Sequence, residues 1–352
     1  MLSNYTIFAL LLIFLAGCIT NTPQPAEETK EVTKEMKKEA TALPTVAPTP
    51  PSLLPEDFDL QGHRGARGLK PENTLPAFET ALDLEVDTLE LDLHFSADGV
   101  VVIWHDPEID KDKCGLIPDA PDSTPDPDNL ITKDPKLRIS SLTYEQLQAY
   151  RCDRNPDAGR FPDQNNLPTA LAGDDYRIIS LVELFDFVDA YVESDSKSAA
   201  QRDNAARVQF NVETKRVPDN PQVINDGFDG ENPGPFELAI LKSATEHGLL
   251  DRVIIQSFDH RSLWAIRSVN EDVRLAALTT NNFSGDLAGL AAKGANIWSP
   301  KFQTLSPSLI EQAQQLGMAI IPWTVNDPQE MQRLIEMGVD GLISDRPDLL
   351  NS

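Results

Sequence analysis

From Phe58 onward, short apolar runs and amphipathic stretches take turns along the chain, and this alternation constrains the fold more than any other feature. The runs lie at 58–63 (FDLQGH), 87–94 (DTLELDLH), 207–213, 252–257, 273–278, 295–299, 318–325 and 339–344. Between them, 74–84, 180–193, 236–247, 260–269, 285–293, 307–316 and 328–337 carry apolar residues at helical spacing. Strands alternating with helices predict parallel βαβ units. Eight such units favour a closed (β/α)8 barrel, an α/β fold, over an open doubly wound sheet. No GxGxxG or GxxxxGK[ST] loop follows any run, which counts against nucleotide binding.

Two features interrupt the repeat. Ala97-Asp98-Gly99 is a tight-turn signal that predicts an antiparallel hairpin between the second strand and VVVIWHD. An insertion after this hairpin, 107–178, holds nine prolines, many aspartates and little apolar periodicity outside 140–150. Cys114 and Cys152 both fall inside it. Two free thiols are one reading. The other is a disulfide closing a loop of about 39 residues, worth about 3–4 kcal/mol by chain entropy, which an exported protein permits.

The segment before the repeat has another character. Ile7 to Gly17 is apolar or small and too short to span a bilayer, but it suits the core of a signal peptide. Leu15-Ala16-Gly17-Cys18 resembles the lipobox of bacterial lipoproteins, although MLSNYT before it lacks Lys and Arg. We therefore expect 1–17 to be a lipoprotein signal peptide and Cys18 to carry lipid, with a plain signal peptide or a short buried helix as the alternatives. Residues 18–57 hold seven prolines, no glycine and no aromatic residue, so they bury too little surface to offset their ordering entropy. They read as a disordered acidic, Pro-rich tether. The protein is expected to be exported and lipid-anchored at the bacterial cell envelope, facing the periplasm or the cell surface.

A net charge of −26 argues against a phosphate-backbone binder, so no nucleic-acid partner is expected. It also excludes a polybasic membrane surface, leaving the N-terminal lipid as the membrane attachment. Any anionic ligand must then be met by a few local cations.

Polar residues gather where such a barrel keeps its functional groups, at the C-terminal ends of strands. Strand 1 ends in Gly62-His63-Arg64-Gly65, and strand 2 carries Glu90, Asp92 and His94. The hairpin strand ends in His105-Asp106, strand 3 in Glu213-Thr214-Lys215, and strand 7 in Trp323-Thr324-Val325-Asn326. Glu90 and Asp92 are two apart and project from one face of a strand. Neighbouring carboxylates inside a barrel are costly unless a cation meets them. With Glu213 they form a hard oxygen set suited to one divalent cation, Ca²⁺ or Mg²⁺. The alternative is a buried ion network with Arg64 and Lys215. His247 and His260 fall at helix ends and need no catalytic reading. His63 and His105 follow strands aimed at the carboxylates, where two imidazoles can share general acid and base work.

GHRGARGLKPENTLPAFETAL followed by ELDLHFSADGVVVIWHDP resembles the opening of the glycerophosphodiester phosphodiesterases. VETK at 212–215, QSF at 256–258, PWTVN at 322–326 and MGVDGLISDRPDLL at 337–350 match further blocks in order across 58–352. ISSLTYEQLQAY, GRFP and LVELFDFV are similar to longer, exported members. The resemblance implies a TIM barrel and a metal-dependent hydrolase that releases sn-glycerol 3-phosphate and an alcohol from a small glycerophosphodiester. It further implies that His63 and His105 are the acid/base pair, and that Glu90, Asp92 and Glu213 hold the metal. Arg64 and Lys215 would contact the phosphate, and Trp323 would offer an apolar wall to the glycerol carbons or pack in the core. Glu72 is expected to hold Arg64 or His63 from behind, Asn73 to cap the following helix, and His94 to line the pocket. An intact-lipid phospholipase of C or D type, an enzyme on teichoic-acid-type polymers, and a non-catalytic surface binding protein are the rival readings. The acidic loop 218–235 is read either as a cover over the site or as a solvated loop.

Overall fold

In the computed structural model, residues 54–350 other than Glu56 are described. The signal peptide, Cys18 and the tether up to residue 53 lie outside the described residues. Eleven strands and nine helices follow in the described chain. The strands are β1 (Asp59–His63), β2 (Thr88–Phe95), β3 (Val101–Ile103), β4 (Gly115–Leu116), β5 (Tyr150–Arg151), β6 (Gln209–Thr214), β7 (Val253–Ser257), β8 (Arg274–Thr279), β9 (Ile297–Pro300), β10 (Ala319–Ile320) and β11 (Gly341–Ser344). The helices are α1 (Leu75–Asp83), α2 (Tyr144–Gln148), α3 (Leu181–Glu193), α4 (Ala199–Ala205), α5 (Pro235–Glu246), α6 (His260–Arg267), α7 (Leu287–Ala292), α8 (Pro307–Gln315) and α9 (Pro328–Glu336). Among the described residues, no helix is long and apolar enough to cross a membrane.

Eight parallel strands run in the order β10-β9-β8-β7-β6-β2-β1-β11. The predicted strand 318–325 splits its work. Ala319 and Ile320 pair with β9, and the chain beyond them turns to the other edge. There Ile343 N–H donates to Pro322 O at 3.0 Å, and Val325 N–H donates to Ile343 O at 2.9 Å, closing the cylinder. The fold is the (β/α)8 TIM barrel. β3 pairs antiparallel with β2, as the tight turn predicts, in the register Leu93↔Ile103.

Alternation along each strand divides two environments. Leu89, Leu91, Phe210, Val212, Ile255 and Leu275 face the helical ring and build the main core. Ile254, Ala276, Ile297, Ile321 and Ile343 fill part of the barrel interior. The helices start on local signals. Pro235, Pro307 and Pro328 occupy the first turn, where the missing N–H costs nothing. Ser180 and Glu183 form a capping box on α3. α4 was outside the sequence expectation because its face is alanine rather than a large apolar stripe. Ser198 and Gln201 cap it, and Asn204 donates to Val86 O at 2.8 Å.

The insertion has a core of its own, around Trp104, Ile109, Leu137, Ile139, Leu147 and Tyr150. β4 and β5 pair in a two-stranded sheet, and the Cys114–Cys152 disulfide lies beside it. Its apolar residues follow turns rather than a period, so periodicity alone did not show them.

Candidate active site

The turn after β1 sets the geometry. Arg64 (φ 54) and Gly65 (φ 82) both lie in the left-handed region. A Cβ on Gly62 would come within 2.5 Å of Gly65 O, so the turn closes only over a glycine. This sparsely populated backbone aims the Arg64 N–H at Glu90 Oε2, 3.0 Å away. His63 stands just before the turn, and its Nδ1 meets Asp345 Oδ1 at 2.5 Å. With that nitrogen donating, Nε2 is left toward Glu90, 3.8 Å away. Burial, and then the Arg67 charge, push the His63 imidazole down to about 4 against the pull of Asp345. Asp345 itself stays far below the usual carboxylate range, because His63 and Arg67 outweigh its burial.

The register of the barrel brings the acids together. Asp92 lies opposite Glu213, and Glu213 opposite Gln256. Oxygen atoms of Glu90, Asp92 and Glu213 all lie within 4.8 Å of one another. Two cations share the cluster: Arg64 Nε is 3.1 Å and Lys215 Nζ 3.4 Å from Asp92, and Lys215 reaches Glu213 at 2.9 Å. The network of the alternative reading is therefore present, but it does not reach every acid. Among the described residues, the basic side chain within 4 Å of Glu90 is the His63 imidazole, which at its lowered value is neutral near pH 7. Gln256 Nε2 adds a neutral hydrogen bond at 2.6 Å. Burial, then Asp92 and Glu213, drive Glu90 well above the ordinary range. Asp92 stays well below it, because Arg64 and Lys215 overcome its burial. Asp92 Oδ1 is buried and accepts no hydrogen bond. Crowded carboxylates, one of them without a lysine or arginine side chain in ion-pair range and one with an oxygen that accepts no hydrogen bond, fit a hard divalent cation.

Opposite them, β3 delivers His105. Its Nδ1 meets Asp106 Oδ1 at 2.7 Å, and Lys113 Nζ reaches Asp106 Oδ2 at 2.5 Å. Burial, then Arg64, lower the His105 imidazole from its ordinary value. Glu72, His105 and Asp106 also converge, but Lys113, Arg64 and Arg67 already neutralise that group.

A cavity of about 450 Å³ takes in His63, Arg64, Glu72, Glu90, His105, Glu213, Lys215 and Trp323 from the sequence expectation. Asp92 and Asn73 lie outside its lining, beneath Arg64. Thr74, not Asn73, is the N-cap of α1; Asn73 (φ 58) turns its side chain away and donates to Asp92 Oδ2 at 2.9 Å. Glu72 holds Arg64 at 3.0 Å rather than His63. His94 does not line the cavity. It is fully buried, and its Nε2 meets His105 O at 3.1 Å. Trp323 packs edge-on against Phe258, 5.5 Å between centroids. The loop 218–235 stays away from this cavity, because Arg216 ties Asp226 to Glu237 around a separate hollow. The wall over the site comes from the insertion instead, at Pro156, Asp157, Arg160 and Phe161. Asp345, Arg67, Lys113 and Gln256 were missed as site residues. For Asp345, a carboxylate one residue past the last strand was the available signal. His247 ends α5, and His260 opens α6 with Nε2 2.9 Å from Leu278 O.

Known proteins resemble this chain over most of its length. The chain is 26% identical over 289 residues to a glycerophosphodiester phosphodiesterase of Caldanaerobacter subterraneus, covering 82% of this chain and 94% of that one. It is 24% identical over 309 residues to a glycerophosphodiester phosphodiesterase of Bacillus subtilis, covering 85% and 87%. The crystal structure of a protein from Silicibacter pomeroyi described as a "putative glycerophosphoryl diester phosphodiesterase" superposes with a TM-score of 0.66 at 26% identity, covering 84% and 92%. A phosphodiesterase of Oleispira antarctica shares the fold, with a TM-score of 0.60 at 17% identity over 85% and 98%. The model of the glycerophosphoryl diester phosphodiesterase family matches residues 63–349, and with most of its length inside that match the chain belongs to this family.

Proposed function

We propose that the chain hydrolyses small glycerophosphodiesters to sn-glycerol 3-phosphate and an alcohol, with His63 and His105 as the general base and general acid. The observation that carries this reading is that each imidazole is pinned through Nδ1 by a carboxylate, Asp345 or Asp106, beside one carboxylate cluster. The relatives' names support the substrate class. The Oleispira enzyme, solved with sn-glycerol 3-phosphate as product, supports the product.

Glu90, Asp92 and Glu213 would hold one divalent cation, which when bound supplies Lewis-acid stabilisation of the phosphoryl oxygens. Arg64 and Lys215 turn positive charge toward the same oxygens, where the transition state gathers negative charge. The buried, neutral His63 takes the proton of the attacking hydroxyl at Nε2. Its Nδ1 proton, held by Asp345, keeps the ring in the tautomer that accepts there. In its protonated form, with Nδ1–H held by Asp106, His105 gives its Nε2 proton to the alcohol oxygen as the P–O bond to it breaks and is left neutral. Trp323 and Phe258 offer an apolar face to the glycerol carbons.

From the lipobox-like Leu15-Ala16-Gly17-Cys18 we further propose that the enzyme is exported, carried by a lipid on Cys18 and a tether over 18–57. Release of glycerol 3-phosphate from glycerophosphocholine, lost in His63→Ala and in chelator and restored by Ca²⁺ or Mg²⁺, is the expected result. A folded protein that releases none under any of these conditions overturns the activity.

A further inference from the structure

We propose that Lys113, supplied by the insertion, is a positioning residue that holds His105 in its catalytic orientation through Asp106. The proposal rests on the reading of His105 as the acid. Lys113 Nζ lies 2.5 Å from Asp106 Oδ2 and 2.8 Å from Glu72 Oε1, so one ammonium bridges two carboxylates. The other oxygen of Asp106 holds His105 Nδ1 at 2.7 Å. The other oxygen of Glu72 accepts from Arg64 Nη1 at 3.0 Å and from Arg67 Nη1 at 3.2 Å. Lys113 therefore joins the hydrogen bonds behind one imidazole to the arginines beside the other.

Without that charge, Asp106 would lose its lysine partner and face Glu72 Oε1, the Glu72 oxygen that the arginines do not hold, across a half-buried gap, and like charges so close repel. Asp106 follows His105 directly and has no other side-chain cation within ion-pair range among the described residues, so it is the group free to swing. Its departure would release the ring it holds. The Lys113 side chain is only 14% exposed and lies over the Trp104 ring, 5.5 Å from its centroid. Its backbone is fixed as well. Lys113 O accepts from Arg154 N–H at 3.1 Å, and the next residue, Cys114, is bridged to Cys152. A lysine held this way loses little rotamer freedom when it makes these contacts. The insertion thus lines the site at Lys113 as well as at Pro156, Asp157, Arg160 and Phe161.

The test compares Lys113→Met and Lys113→Arg with His105→Ala in the full-length protein. The substrates are glycerophosphocholine and the 4-nitrophenyl ester of glycerol 3-phosphate, whose leaving group needs no acid. The expected result for Lys113→Met is a kcat on the choline ester lower by about 10–100-fold, with KM within about threefold of the parent. Turnover of the aryl ester should be nearly unchanged, and Lys113→Arg should recover most of the loss. Equal losses on both esters, or none, while His105→Ala still discriminates between them, overturn the positioning role alone. Should His105→Ala fail to discriminate, the acid assignment falls and a second readout decides. The hydrogen-bonded His105 Nδ1 proton, identified in the proton spectrum by its absence from His105→Ala, should vanish in Lys113→Met. Its persistence there overturns the proposal.

Discussion

Arg67 Nε donates to Asp345 Oδ1 at 2.8 Å, the same oxygen that takes the His63 Nδ1 hydrogen bond at 2.5 Å. One carboxylate oxygen thus serves a fixed cation and an imidazole together. Asn326 Nδ2 occupies the second oxygen at 2.8 Å, so Asp345 has no freedom to turn. Replacing it with asparagine keeps the shape but offers an N–H where an acceptor is needed. Asp345→Asn should lower kcat by roughly 100-fold, in the range for loss of acid–base orientation, with the melting temperature changed far less. A loss under about threefold in steady-state turnover would remove His63 from the base role.

The buried His63, lowered to about 4, gives the acid limb of activity a definite place. As the proposed base, His63 must be neutral, so kcat/KM should hold as pH falls through 6.5 and decline only near pH 4. Arg67 helps to keep that value down, so Arg67→Gln should raise it and move the limb toward neutrality. A pH–rate profile of both proteins reads this directly, and a parent limb at 6.5 contradicts it.

The crowding of Glu90, Asp92 and Glu213 predicts a linkage between cation and stability. Saturating Ca²⁺ or Mg²⁺ should raise the melting temperature, since a ligand at 100 times its Kd adds about 2.7 kcal/mol. Glu90→Gln should lose most of that shift. Thermal melts with and without chelator decide it, and a shift equal in parent and variant places the cation elsewhere.

Glu79, fully buried, accepts from Leu171 N–H at 2.8 Å, Ala172 N–H at 2.7 Å and Lys197 Nζ at 2.5 Å. Burial raises its carboxyl, but those donors win, and it stays below the ordinary 4.5. The folded state therefore binds this proton less readily than the unfolded one. The stabilisation is complete above 4.5 and is lost as pH falls through the depressed value. Glu79→Gln should cost about 3 kcal/mol at pH 7 by unbalancing a buried pair, and the cost should shrink toward pH 3. Urea melts at the two pH values supply the comparison.

The disulfide closes a loop with a sequence separation of 38, so its reduction should destabilise the insertion by about 3–4 kcal/mol. Hydrogen exchange should show the loss around Tyr150 and Ile139, with β7 and β8 little changed. Uniform loss across the barrel would mean that the insertion and barrel unfold as one unit.

The barrel was legible because its signal is periodic: each of the eight apolar runs coincides with a barrel strand to within about two residues, apart from the shared run at 318–325. The acids were legible because two carboxylates spaced by two must share a face, and the register of β2 with β6 brings Glu213 to Asp92. What stayed hidden depends on contacts between distant segments. Nothing near Asp345 in sequence names His63 as its partner, and nothing near Lys113 names Glu72. Asn73 misled for a local reason. Asparagine before a helix reads as a cap, but it also tolerates positive φ, and here the turn used that second property.

His63 stands on the first strand of the barrel, and Asp345 comes just after the last, the two meeting where the cylinder closes through Val325 and Ile343. A chain still emerging from the ribosome has His63 but not the carboxylate that holds its Nδ1. The histidine and its carboxylate meet only when the C-terminal strand docks. The proposed catalysis is therefore coupled to completion of folding, and a truncated product lacking β11 and Asp345 would carry nearly the whole site yet leave the His63 imidazole unheld.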